Sequence, residues 1–173
     1  MVLEGVGTSA YLGAAKSLSD KTLLTAAGSI LTTEARQASW VSSSVLQDAP
    51  WSGPFETPLD FNQVFTLASE MITSCPASNP TLPFKAFPGL KITSTATPAP
   101  GETITLEFTG SGSEGLYFSI FTGLDVVSVE ITSDAKVTLP ANLTGTVYGV
   151  VSKTAKNVTD DVTVAGPVVL QFY

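Results

Sequence analysis

The spacing of hydrophobic residues along this 173-residue chain changes character once, near Leu90. Before this point apolar side chains recur at helical spacing, and after it they alternate with polar ones as in half-buried β-strands. We therefore predict an α+β protein. It should have a helical part at residues 1–73, a stiff proline-rich linker at residues 74–89 and a β-sandwich at residues 90–173.

The helical part divides into three predicted helices, which are Met1–Lys16, Asp20–Leu46 and Asp60–Thr73. The short link after the first helix makes the second antiparallel to it. Ser19 is expected to cap the second helix, and Asp60 with Gln63 to form a capping box on the third. The alternating runs predict about seven or eight short strands, which is typical of an immunoglobulin or fibronectin sandwich.

Glu34 lies in the middle of an apolar stripe on the second predicted helix. At 100° per residue, Leu23, Ile30 and Val41 fall within roughly 40° of it. An unpaired carboxylate costs several kcal/mol to bury, so Glu34 needs a partner, a proton or a metal. Gln37 lies on the edge of the same face, and Glu4 occupies a similar stripe on the first helix.

The composition excludes several classes of function. The chain has no histidine, which excludes histidine metal sites, Ser-His and Cys-His nucleophiles and histidine proton shuttles. A net charge of −7 without a basic cluster makes nucleic acid and anionic membranes poor partners. Cys75 has no second cysteine to pair with, so it is either a buried small hydrophobe or part of an interchain bridge.

Low charge content and two sequons favour an extracellular protein, secreted or in the cell wall. Charged residues make up only 13% of the chain. The sequons are Asn142-Leu-Thr144 and Asn157-Val-Thr159, so Asn142 and Asn157 are candidate glycosylation sites. No signal peptide is visible, and we expect the chain to be a mature product.

Four segments carry a resemblance to a known family: Glu4–Ala15, Ile30–Arg36, Pro58–Ser69 and Leu82–Pro88. They resemble the second half of a fungal ferritin-like family described as stress-response or desiccation-related. Members of that family have two further helices before this point, which supply the remaining acidic and histidine ligands of a di-metal site. This sequence does not contain those helices. Where family members have Glu-Ala-Arg-His, this chain has Glu34-Ala-Arg-Gln37.

Carried over by position, Glu4 and Glu34 would be carboxylate ligands, and Gln37 would replace a histidine ligand. We therefore expect these to be degenerate metal positions, with no bound metal and no cofactor. A symmetric dimer could restore four helices, but its oxygen ligands would suit Mg, Ca or Mn rather than redox iron.

A short, acidic chain ending in a sandwich also resembles the small subunit of heterodimeric fungal laccases. This resemblance implies a non-catalytic accessory subunit that binds and stabilises a larger enzyme. The alternatives are a stand-alone stress-response or storage protein and a degenerate carboxylate metal-binding protein. We expect no enzymatic activity, and a protein partner that is either a larger subunit or a second copy.

Overall fold

The computed structural model describes residues 2–110 and 113–173 and has the predicted α+β order. The helices are α1 (Val2–Ala14), α2 (Lys21–Trp40) and α3 (Phe61–Ser69). A 3₁₀ turn, Ala15–Ser17, follows α1, and a π-helical turn, Val41–Leu46, continues α2. No helix within these described ranges is long and apolar enough to cross a membrane.

The caps explain where two of these helices begin. Asp20, not the predicted Ser19, caps α2, because its carboxylate accepts hydrogen bonds from the backbone N–H groups of Thr22 (2.7 Å) and Leu23 (3.1 Å). The predicted capping box of α3 is confirmed, with Gln63 Oε1 accepting from the Asp60 N–H at 2.9 Å.

Seven strands form two antiparallel sheets. They are β1 (Leu90–Ile92), β2 (Thr103–Phe108), β3 (Tyr117–Thr122), β4 (Asp125–Glu130), β5 (Lys136–Thr138), β6 (Gly145–Ser152) and β7 (Thr163–Phe172). One sheet has the order β1-β2-β5 and the other β4-β3-β6-β7, which is a sandwich of the predicted kind. The core between them is built around Phe118, Ile104 and Val147, all fully buried.

The helices cover the outer face of the four-stranded sheet. Val6 of α1 and Leu67 of α3 pack in one cluster with Phe121 of β3 and with Tyr148 and Val150 of β6. The central strands β3 and β6 are therefore buried on both faces, which is why β6 reads as an almost continuous apolar run. The protein is built in three layers: helices, four-stranded sheet and three-stranded sheet.

Helix α1 is fixed to this assembly by polar contacts as well. Ser9 Oγ donates a hydrogen bond to the Tyr148 hydroxyl at 3.1 Å, and the Leu59 N–H donates to the Ser9 carbonyl at 3.2 Å. At Gly13 the helix lies directly on the Leu59 backbone, since a methyl group there would overlap the Leu59 carbonyl. The segment before α3 is thereby held against the last turns of α1.

Helix α2 forms the outside of the helical layer, and this chain leaves the apolar residues of its predicted stripe exposed. None of its 20 residues is buried, and Leu23 and Ile30 are 58% and 42% exposed. Toward α1 the helix presents Glu34, which lies against Gly7. The missing side chain of Gly7 permits this close approach.

Candidate functional site

Helices α1 and α2 lie so close together that the Glu34 side chain of α2 lies against Gly7 of α1. A methyl group on Gly7 would overlap the Glu34 carboxylate, so only glycine leaves room for it in this position. Glu34 as a whole is partly buried, but its Oε2 atom is enclosed and has no hydrogen-bond partner. A buried oxygen without a donor is unusual in a native fold and calls for an explanation.

The surroundings of Glu34 oppose its charged form. Burial raises the pKa of its carboxyl above the ordinary value of 4.5, and the negative charge of Glu4 raises this pKa further. The structure thus brings together the two carboxylates that the sequence analysis singled out. Their repulsion agrees in direction with the expected abnormal titration of Glu34.

Gln37, the third predicted position, lies beside Glu4. Both line a shallow pocket of about 450 Å³ together with Arg36, Trp40 and Val41. Arg36 is exposed and belongs to the lining of this pocket. Within residues 2–110 and 113–173 the ion pairs are Lys16–Asp60 and Lys136–Asp134, so neither glutamate is neutralised by a salt bridge there.

These donors do not fit a di-metal carboxylate centre. Such a centre draws carboxylate and imidazole ligands from four helices. Glu4, Glu34 and Gln37 offer two carboxylates and one neutral amide. In the described part of the chain, no group of three or more His, Cys, Asp or Glu residues is placed to hold a metal ion.

Apolar side chains flank the carboxylates on the same layer. On α2, Trp40 is 62% exposed, in addition to Leu23 and Ile30. We call the surface formed by Leu23, Ile30 and Trp40, with Glu4 and Glu34 beside them, the open helical face. Exposed apolar side chains are candidate contacts with another molecule where they group on one surface.

The structure adds a groove that the sequence analysis missed. Phe61 of α3 stacks on Phe84 with ring centroids 5.2 Å apart. The two rings border an apolar groove of about 300 Å³, which Tyr11 of α1, Phe65 of α3 and Leu82 also line. Residues 82–84 fall within the predicted linker, although the Leu82–Pro88 segment is one of the four that carry the family resemblance.

The remaining predicted positions are accessible. Asn142 and Asn157, the sequon asparagines, are both exposed. Cys75 is a free and exposed thiol, so the prediction of a small buried hydrophobe is wrong at this position. An exposed thiol leaves the alternative of an interchain bridge open.

The family comparison agrees with the placement of α1 and α2. A family model described as "Ferritin-like domain" matches residues 1–47, which contain α1, α2 and the π-helical turn. A comparison with curated proteins finds no match. The chain is therefore an α+β protein in which residues 1–47 are similar to a ferritin-like domain and a β-sandwich follows the helices.

Proposed function

We propose that this protein is a non-catalytic, extracellular accessory subunit that binds a larger enzyme through the open helical face and stabilises it, with a laccase as the candidate enzyme. The observation that carries the proposal is the exposure of large apolar side chains on α2. Energetics, architecture and charge each favour a protein partner for this surface.

The first support is energetic. Complete burial of a Leu, Ile or Trp side chain stabilises by about 1.5–3 kcal/mol. Leu23, Ile30 and Trp40 are each about half exposed, so covering them would contribute about 1 kcal/mol apiece. A partner helix that packs on this face would recover that energy, as helices do inside bundles.

The second support is architectural. Ferritin-like bundles contain four helices, whereas α1 and α2 form a hairpin of two. The sandwich and α3 cover one side of α1, but neither covers the outer side of α2. Another polypeptide that supplies helices at this position would complete the arrangement.

The charge of the chain favours a different polypeptide over a second copy. A symmetric dimer through this face would bring four carboxylates together, from Glu4 and Glu34 of each copy, on chains that each carry −7. Like charges in a partly desolvated interface are costly. A partner that brings no further carboxylates to this face avoids this cost.

The experiment compares a variant that loses apolar side chains at the proposed interface with one that loses them elsewhere on the surface. Ile30→Ser with Trp40→Ser removes the proposed contact, and Met71→Ser with Ile72→Ser removes two similarly exposed side chains after α3 as a control. Each protein is returned to its native source with an affinity tag, and the captured enzyme is identified by mass spectrometry. We expect the enzyme to be lost with the first variant only, and its thermal inactivation to be faster without the subunit.

Three results would contradict the proposal. Equal capture by all variants would show that the open helical face is not the interface. A stable dimer in light scattering, abolished by Ile30→Ser, would favour self-association. A monomer that neither captures nor protects an enzyme would favour the stand-alone stress-response or storage protein, and stoichiometric metal lost on Glu34→Ala would favour the metal-binding alternative.

A further inference from the structure

A second exposed apolar region lies at the end of the sandwich and is not used by the proposed function. It is a cleft of about 270 Å³ between the segment before α3, the β3–β4 turn and the loop that leads into β6. Phe55 and Leu124, which are 59% and 64% exposed, border it together with Val127. These side chains leave a patch of hydrocarbon in contact with water.

Hydrogen bonds hold the walls of this cleft in place. The Gly123 N–H of the β3–β4 turn donates to Thr57 Oγ1 at 2.8 Å. The Thr146 N–H of β6 donates to Ser52 Oγ at 3.0 Å. At Gly145, whose φ of 67° is left-handed, the backbone lies so close to Ser52 that a methyl group would overlap it. The cleft is thus part of the rigid fold.

A complete sequon lies on the same cleft. Asn142 and Thr144 both line it, and both are exposed. Leu143 between them is only 5% exposed, because it belongs to the sandwich core. The buried leucine fixes the backbone while the two side chains that a glycosyltransferase must reach point to solvent.

We propose that Asn142 carries an N-linked glycan whose first sugar is seated in this cleft against Phe55 and Leu124. The substrate class is a polyprenyl-pyrophosphate-linked oligosaccharide. A bond forms between Asn142 Nδ2 and C1 of the first N-acetylglucosamine, the C1–O bond to pyrophosphate breaks, and one amide proton is lost as polyprenyl pyrophosphate leaves.

The chemistry of the cleft suits such a sugar. A pyranose ring presents a face of C–H groups, which packs on an aromatic ring, and a rim of hydroxyl groups, which need hydrogen-bond partners. Phe55 and Leu124 supply the apolar surface. The side chains of Thr122 and Asp125 lie on the lining of the same cleft and supply polar groups for the rim.

The second sequon provides a matched control. Asn157 is exposed on the loop between β6 and β7, and its φ of 52° is one that asparagine tolerates. A glycan at Asn157 adds the same mass and solubility to the chain. Only the glycan at Asn142 is expected to depend on Phe55.

The test is a double-mutant cycle on the full chain secreted from a glycosylating host. Glycopeptide mass spectrometry measures occupancy, and an endoglycosidase trims the glycans to a single N-acetylglucosamine. We expect Asn142→Gln to raise the unfolding equilibrium constant about fivefold relative to the trimmed protein. In a Phe55→Ser background this difference should vanish, whereas the effect of Asn157→Gln should be the same in both backgrounds.

The remaining outcomes overturn the proposal. An unmodified Asn142, in a host that modifies a reporter sequon, would show that the site is not used. A modified Asn142 whose contribution to stability is unchanged by Phe55→Ser would show that the sugar is attached but not seated in the cleft.

Discussion

Three glycines of the helical layer allow the packing of α1 to be tested with a single kind of substitution. Gly28 of α2 has no atom within 4 Å of the position that a methyl group would occupy. At Gly13 the methyl would overlap the Leu59 backbone, and at Gly7 it would overlap the Glu34 carboxylate. Replacing each with alanine therefore adds the same methyl group to three different surroundings.

The expected free energies follow from these surroundings. Alanine is favoured over glycine in a helix by about 1 kcal/mol, so Gly28→Ala should be stabilising by about that amount. Over-packing costs about 1–3 kcal/mol, and the upper end applies at Gly13 because the obstacle is backbone. After the gain in helix propensity is subtracted, Gly13→Ala should be destabilising by about 2 kcal/mol.

Gly7→Ala should lie between these two. The obstacle is the end of a flexible side chain, which can rotate into solvent. We expect a stability close to that of the unmodified protein. The Glu34 pKa should return toward 4.5, since the burial that raises it is relieved.

Thermal unfolding followed by circular dichroism measures all three effects. For a chain of this length, about 1 kcal/mol corresponds to a change in Tm of about 2–4 °C. Gly28→Ala should therefore raise the Tm by about that much, and Gly13→Ala should lower it by about 4–8 °C. If Gly13→Ala were as stabilising as Gly28→Ala, α1 would not lie on the Leu59 backbone and the described packing would be refuted.

Three further predictions concern single side chains. Burial and Glu4 raise the pKa of Glu34, so its folded state binds the proton more tightly and stability falls as the pH rises above 4.5. Glu34→Gln should then raise the Tm at pH 7 and not at pH 4. A large decrease in Tm at pH 7 would instead indicate that the Glu34 carboxylate is ionised and paired. Burial raises the pKa of Tyr148 to about 12, and its hydroxyl accepts a hydrogen bond from Ser9. Tyr148→Phe should therefore lower the free energy of unfolding in urea by about 1–2 kcal/mol. It should also remove a tyrosine that ionises near pH 12 in ultraviolet absorbance. Cys75 should react fully with a maleimide in the native protein, and protection of this thiol until urea is added would contradict its exposed position.

The order of helices and strands was predictable because it depends on local patterns. The change of hydrophobic period near Leu90 separates the helices from the strands, and short apolar or alternating runs between turn residues indicate the strands of the sandwich. The capping box at Asp60 and Gln63 is also a local signal, since its groups are three residues apart. Such features need no knowledge of which elements meet in space.

The face that α2 turns toward α1 was not predictable from hydrophobicity. The largest apolar residues, Leu23 and Ile30, mark a stripe that the structure leaves exposed. Close packing of two helices selects small residues at the contact, and small residues contribute little to a hydrophobic stripe. Gly7 was the available signal, because a glycine inside a helix is costly unless it permits a close approach.

The sandwich has a direct effect on the ferritin-like part. In a four-helix bundle each helix packs against two neighbours. For α1 the second neighbour is provided by this chain itself, since Val6 packs with Tyr148 of β6 and Ser9 donates to its hydroxyl. Helix α2 packs on α1, and its Ala35 and Ala38 line a small cavity together with Tyr148. Its outer side has no such neighbour, which leaves the large apolar side chains of this helix exposed.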